Sequence, residues 1–255
     1  MNEHVITHVE ERILTIELRR PDKKNALTAG MYSAIDRALA EAISDKGIRV
    51  VFLRGQADCF TAGNDIADFV NNPPSGDGPA ALFIERLVGF QKPVVAAVAG
   101  PAIGIGTTLL LHCDLVFAAA DAKFSLPFVN LGLCPEAGSS LLLGRIAGEK
   151  RAAKLMLLGD TFSAAVANEV GIVTEVCQPD ILMSRAFETA AELARKPARA
   201  LCETKSLIRG DLSVIRERIK IEGNLFRELL RSESAQEAMN AFRERRKPDF
   251  SAIDG

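Results

Sequence analysis

Glu136 is the acid that stands apart in this sequence. Between residues 100 and 148 the only carboxylates are Asp114, Asp121 and Glu136. Asp114 follows an apolar run, and Asp121 sits in Ala120-Asp121-Ala122, where a turn accounts for it. Glu136 lies in Leu131-Gly132-Leu133-Cys134-Pro135-Glu136-Ala137-Gly138-Ser139-Ser140, at the expected start of an apolar helix. Such a Glu is either a first-turn acid favoured by the helix dipole or a general base. Burial would raise its pKa and the dipole would lower it, so the pattern alone leaves both readings open.

Two glycine-containing loops are the other features with chemical potential. One is Phe60-Thr61-Ala62-Gly63-Asn64-Asp65-Ile66, the other Gly100-Pro101-Ala102-Ile103-Gly104-Ile105-Gly106-Thr107. Each falls where a strand ends and a helix begins, a place where backbone N–H groups lack partners. Tight strand-on-helix packing explains the same glycines. Leu109 stands where a dinucleotide fingerprint needs its third glycine, and no Walker-type G-K-[ST] occurs.

Other chemistries have few tools. The histidines are His4, His8 and His112, too few and too clustered for a triad or zinc site. The five cysteines show no C-x-x-C spacing. An odd count without a secretory signal fits a reducing compartment, so the cytoplasm is expected. With 31 Lys+Arg against 33 Asp+Glu, the net charge of −2 does not suggest nucleic acid. At 48% hydrophobic and 25% charged, the 255 residues read as an ordinary globular chain. Val94 to Cys113 carries no formal charge, but Gly100, Pro101, Gly104 and Gly106 break it into strand, turn and helix rather than a membrane span.

The elements that must position these groups follow from periodicity. Two short strands are expected over 5–18 around Glu10-Glu11, with a helix from Met31 to Ile43 capped by Thr28. Strands are expected at Val50–Leu53, Val94–Val98 and Leu115–Ala118, and helices at Ala80–Phe90 and Thr107–His112. Residues 71–79 read as a loop. After about Asp180 only helices are expected, over 180–195, 198–209, 212–231 and 234–246. This is α/β architecture with some parallel pairing and a helical C-terminal piece.

In order along the chain, these segments resemble the crotonase (enoyl-CoA hydratase/isomerase) superfamily. Asn25-Ala26-Leu27 after Pro21 is similar to its first acyl-CoA-contacting turn. The 60–66 loop resembles its F-x-A-G-x-D-[IL] motif. Ala97 to Gly104 followed by Cys113-Asp114-Leu115-Val116 resembles the second loop, and Ala241 to Phe250 the A-F-x-E-K-R-x-P-x-F ending. The resemblance implies a crotonase-like spiral of β-β-α turns over residues 1–195 and a helical trimerisation segment over 196–255. It also implies an oxyanion hole made by the backbone amides of Asn64 and Ile105, each donor worth about 3–4 kcal/mol in a transition state.

Where hydratases of that family carry two glutamates, this chain has Thr108 and Phe128. The run Phe124 to Glu136 is instead similar to the Δ3,Δ2-enoyl-CoA isomerase branch, whose base stands at the position of Glu136. The resemblance therefore implies an isomerase that moves an enoyl-CoA double bond from C3 to C2, in fatty-acid β-oxidation. It contacts substrate through Lys24, Ala26, Leu27, Ala62, Gly63, Asp65, Ile66, Gly106 and Phe128. Arg245 of a neighbouring subunit would meet the CoA phosphates. No cofactor or metal is expected beyond the CoA of the substrate, no nucleic-acid or membrane partner, and a homotrimer or dimer of trimers. The alternatives are a hydratase, an isomerase of cyclic acyl-CoA from aromatic-acid degradation, and a non-catalytic acyl-CoA-binding module.

Overall fold

A computed structural model of the chain describes residues 2–56, 58–71, 78–244 and 246–253. The chain opens on an antiparallel hairpin, β1 (Val5–Glu10) and β2 (Ile13–Leu18). Glu11 and Arg12 join them, both with positive φ (49° and 66°), the twist-matching geometry of a two-residue hairpin turn. The next helix, α1 (Ala29–Ser44), begins where expected: the Thr28 side chain accepts from the Met31 N–H. Met31, Ile35 and Leu39 are buried, but Ile43 is exposed and Ala42 takes the core position. A four-residue repeat drifts by about 40° per step on a 3.6-residue helix, so three steps carry Ile43 off the face.

The body then alternates. In chain order come β3 (Val50–Arg54), α2 (Ile66–Asn71), α3 (Pro79–Gly89), β4 (Val94–Val98), β5 (Pro101–Ile103) and α4 (Ile105–Thr108). A 3-10 turn, Leu109–His112, continues α4. The expected loop over 71–79 is trimmed at both ends, since Asn71 closes α2 and Pro79 opens α3; residues 72–77 lie outside the described residues. There follow β6 (Leu115–Ala119), β7 (Lys123–Ser125), α5 (Ser139–Ala147), α6 (Glu149–Leu158), β8 (Phe162–Ser163), α7 (Ala164–Glu169) and β9 (Glu175–Cys177).

Six strands form the main sheet in the order β1-β2-β3-β4-β6-β9, parallel from β2 onward. A second sheet runs β5-β7-β8. Two main-sheet strands are each followed by a short strand of the second sheet and then by a helix: β4, β5, α4, and again β6, β7, α5. This is the spiral of β-β-α turns that the resemblance implies. β4 is buried along its whole length, as a parallel strand covered on both faces should be. Among the described residues no helix is long and apolar enough to cross a membrane.

The C-terminal piece is helical, as expected: α8 (Leu182–Arg195), α9 (Ala198–Arg209), α10 (Ser213–Leu229) and α11 (Glu233–Glu244). α8 lies on the main sheet, with Phe187 edge-on to Phe52 at 5.8 Å. α9 is pinned by a buried ion cluster. Lys205 Nζ reaches Asp114 Oδ2 at 2.6 Å and the Lys92 carbonyl at 2.7 Å, and Arg209 donates to Asp114 Oδ1 at 3.2 Å. Asp114 also accepts the Val94 N–H at 2.7 Å, so one carboxylate ties α9 to the start of β4. Burial brings the Lys205 ammonium down to about 8.

Candidate active site

The site is built by stacking equivalent points of successive turns. Lys24 and Asn25 are both left-handed (φ 48° and 54°). The Asn25 side chain is fully buried; it accepts from the Arg20 N–H at 2.7 Å and donates to the Cys59 and Phe60 carbonyls at 2.9 and 3.1 Å. That pinned turn accepts the next one: Ala62 N–H donates to Lys24 O at 2.9 Å, and Leu27 N–H to Gly63 O at 2.8 Å. The second turn meets the third in the same way, through Thr61 N–H to Pro101 O at 2.9 Å and Ile103 N–H to Thr61 O at 3.1 Å. Gly104 N–H continues to Ser125 O at 3.0 Å. The glycine loops therefore run beside each other like paired strands, about 4.8 Å apart.

Among the described residues the amides of Asn64 and Ile105 make no hydrogen bond within this stack, and that of Gly106 makes none either. Ile105 is the first residue of α4, where a helix leaves its N–H unused. The preceding glycines, Gly63 (φ 91°) and Gly104 (φ 56°), have the backbone that turns these amides out of the ladder. The packing reading of the glycines holds as well. A Cβ on Gly63 would lie 2.8 Å from the Ile103 carbonyl, and one on Gly106 2.6 Å from Thr61 Cγ2. A Cβ on Gly104 would meet nothing, so there conformation alone requires glycine.

Glu136 approaches from another turn. It is not in the helix, as the sequence suggests, but three residues before it: Ala137 and Gly138, both with positive φ (58° and 73°), separate it from Ser139 at the start of α5. Its carboxyl accepts from Thr108 Oγ1 at 3.2 Å, which joins it to the helical turn opened by Ile105. Burial raises its pKa to about 7; the Thr108 hydroxyl opposes the rise and the Glu222 carboxylate adds to it. Burial thus outweighs the Thr108 hydrogen bond, and a carboxyl raised in this way can exchange a proton near neutral pH.

Several residues that support this arrangement carry no sequence signal. Tyr32, on α1, donates its hydroxyl to Asn64 Oδ1 at 2.6 Å. Its pKa is well above the ordinary value, through burial and then the nearby Glu136 and Asp68 carboxylates, so it stays a neutral donor. His112 is buried and brought down to about 4 by burial; neutral, it donates from Nε2 to the Ala137 carbonyl at 2.7 Å and steadies the turn after Glu136. Glu222 reaches the same turn from α10, with Oε2 accepting the Gly138 N–H at 2.5 Å and Oε1 the Ser140 N–H at 3.0 Å. Helix periodicity would have shown that α10 has a buried face, but not what that face touches.

The remaining expected contacts fall as follows. Leu27 is buried and Ala26 half-buried beside the first loop, and Ala62 and Ile66 are half-buried around Asn64. Asp65 uses its carboxylate within the loop, on Arg20 Nη1 at 2.6 Å and the Asp68 N–H at 3.0 Å. These bonds hold its pKa low against the opposing effect of burial. Phe128 is buried, and its carbonyl accepts the Leu133 N–H at 2.8 Å. Lys24 is exposed at the rim. Arg245 lies outside the described residues. Among the described residues no three His, Cys, Asp or Glu side chains converge to hold a metal.

Comparison with known proteins gives the family and the fold. The enoyl-CoA hydratase/isomerase family profile matches residues 8–252. The solved structure of an enoyl-CoA hydratase/isomerase from Pseudoalteromonas atlantica T6c superposes with a TM-score of 0.93 at 38% identity, covering 98% of this chain and 100% of that one. From Escherichia coli K12, 1,2-epoxyphenylacetyl-CoA isomerase is 34% identical over 98% of this chain and 99% of its own length. The 2,3-dehydroadipyl-CoA hydratase of the same organism is 33% identical, again over 98% and 99%. With the stacked turns, the helical C-terminal segment and a match along nearly its whole length, the chain belongs to the enoyl-CoA hydratase/isomerase family, the crotonase superfamily.

Proposed function

We propose that the protein is a Δ3,Δ2-enoyl-CoA isomerase in which Glu136 is the single acid-base residue. The observation that carries this reading is the partner of Glu136: a threonine hydroxyl, Thr108, where hydration would call for a second carboxylate. The thioester oxygen of a 3-enoyl-CoA accepts hydrogen bonds from the Asn64 and Ile105 amides, which acidifies C2. Glu136 takes a C2 proton, the negative charge spreads over a dienolate, and the protonated carboxyl returns a proton at C4. The double bond then lies between C2 and C3, and no atom is gained or lost. Ala26, Leu27, Ala62, Gly63, Ile66, Gly106 and Phe128 line the acyl-CoA path, and Lys24, with Arg245 of a neighbouring subunit, meets the CoA phosphates. The same reading has the chain assemble as a homotrimer or dimer of trimers.

The names of the relatives do not choose between isomerisation and hydration, since an isomerase and a hydratase match equally well. A ring-bearing acyl-CoA is the second reading, favoured by the relative named for an epoxyphenylacetyl-CoA. The deciding assay offers the protein 3-hexenoyl-CoA and, separately, crotonyl-CoA. The first is expected to be conjugated and the second scarcely hydrated, and Glu136→Gln is expected to lower conjugation by about 10³-fold or more. Wild-type turnover in that variant would overturn the assignment of Glu136.

A further inference from the structure

The C-terminal helical segment enters the site through one buried side chain. Glu222 sits on α10 and is only 5% exposed, yet it is 86 residues beyond Glu136 in sequence. Its carboxylate accepts three hydrogen bonds at the start of α5: from the Gly138 N–H, the Ser140 N–H and, at 2.5 Å, Ser140 Oγ. These are groups that the first turn of α5 cannot satisfy itself, and Gly138 offers no side chain to do so. The approach is close because Gly138 is a glycine: a Cβ there would come within 3.2 Å of Ile219 and 3.4 Å of Ile215, both on α10. The Cys134 thiol, two residues before Glu136, also lies against the Glu222 carbonyl at 3.7 Å. The Glu136 turn is thus held from both sides of its glutamate by one residue of α10.

We propose that Glu222 is a positioning residue for Glu136: its carboxylate caps α5 and so fixes the turn that carries the base, and its charge is coupled to the protonation of that base. The idea deepens the isomerase reading, on which its consequence for turnover rests. Beside the pair stand His112, neutral against the Ala137 carbonyl, and three further groups. Tyr32 on α1 faces Glu136 as a neutral phenol, Cys134 is a thiol raised to about 11 chiefly by burial, and Arg218, one turn before Glu222, donates to Ser140 Oγ at 3.2 Å. Among the described residues Glu222 is the carboxylate that adds to the rise at Glu136. Glu222 itself is raised by burial, against the pull of its three hydrogen bonds and Arg218. At Glu136 the Glu222 charge is a smaller cause than burial, and any coupling between two such carboxyls must act on both.

The test titrates the carboxyls directly, by infrared difference spectroscopy of the full-length protein between about pH 5 and pH 9. The Glu136 band is identified by its loss in Glu136→Gln. In Glu222→Gln the Glu136 midpoint is expected to fall by about half a unit or more, while Glu222→Asp, which keeps the charge, leaves it near wild type. Turnover of 3-hexenoyl-CoA is expected to drop about 10- to 100-fold in both variants, because both loosen the turn. A folded Glu222→Gln protein with an unmoved midpoint overturns the proposal. Should Glu222→Gln fail to fold, Glu136→Gln decides by reciprocity: the remaining raised carboxyl must move to lower pH, and a midpoint equal to wild type overturns the coupling. The infrared arms need no turnover, so failure of the isomerase reading would leave them standing, and their failure would leave that reading untouched.

Discussion

A carboxyl held at about 7 destabilises the fold whenever it is ionised. The sign follows from proton binding. Folded Glu136 binds its proton more tightly than the unfolded chain, where the ordinary value is 4.5. Stability therefore falls as pH rises through the window from 4.5 to about 7, and the full cost is present above it. Glu136→Gln removes that cost. Its melting temperature is expected to exceed wild type near about pH 8 and to converge with it near about pH 5, as read by scanning calorimetry. Wild-type turnover should move the other way, rising with pH through about 7 as the base form fills. A gap in melting temperature that widens toward acid pH would contradict the placement of Glu136. Tyr32 makes a separate prediction. Its hydroxyl holds Asn64 Oδ1 at 2.6 Å, and Tyr32→Phe loosens the loop that carries the Asn64 amide. Turnover is expected to fall about tenfold, with KM little changed, because the loss bears on the transition state more than on ground-state binding.

The elements act by stacking, and glycines set the spacing between the turns. Gly63→Ala would place a methyl group 2.8 Å from the Ile103 carbonyl at a φ of 91°. The two loops must part, at a cost of about 1–3 kcal/mol in stability, and turnover should fall at least about tenfold. Gly104→Ala is the comparison: its backbone (φ 56°, ψ −117°) is one an L-residue adopts only under strain, but no atom lies within 4 Å, so a loss from conformation alone, smaller than at Gly63, is expected. Equal losses in the two variants, read as melting temperature and turnover, would show that loop spacing is not what matters. The same scale explains what the sequence could and could not reveal. Both loops were legible because positive-φ glycines and the helix start at Ile105 leave a local mark. The strands β5, β7 and β8 were not, since segments of three, three and two residues are too short to display a period. Nor was Glu222, whose partners at Gly138 and Ser140 are more than 80 residues away and whose own helix repeats like any other amphipathic one.

At the scale of the whole molecule, the C-terminal helices both close the site and leave apolar surface uncovered. Asp114, Lys205 and Arg209 clamp α9 to the body, and Glu222 on α10 grips the turn that carries Glu136. Yet Leu207 and Ile208 on α9 are 83% and 80% exposed, and Phe242 on α11 is 61% exposed. Large side chains left this open suit an interface between subunits, in keeping with the proposed trimer. Light scattering is expected to give a multiple of three times the 27.5 kDa chain, and Leu207→Glu with Ile208→Glu to give a smaller species. An unchanged mass in the double variant would move the interface elsewhere.

The two unpartnered amides of Asn64 and Ile105 have a consequence for how such a protein is surveyed. The groups proposed to hold the thioester oxygen belong to the peptide backbone, so they survive almost any exchange of the side chains beside them. An alanine scan would pass over the pair of donors and flag the residues that hold their loops, such as Tyr32, Asn25, Thr61 and Gly63. A change at position 105 leaves the donor in place for the same reason, whereas one at position 64 also loses the bond from the Tyr32 hydroxyl. Replacing either peptide N–H by an ester oxygen, which deletes the donor and keeps the side chain, would make that part of the site visible.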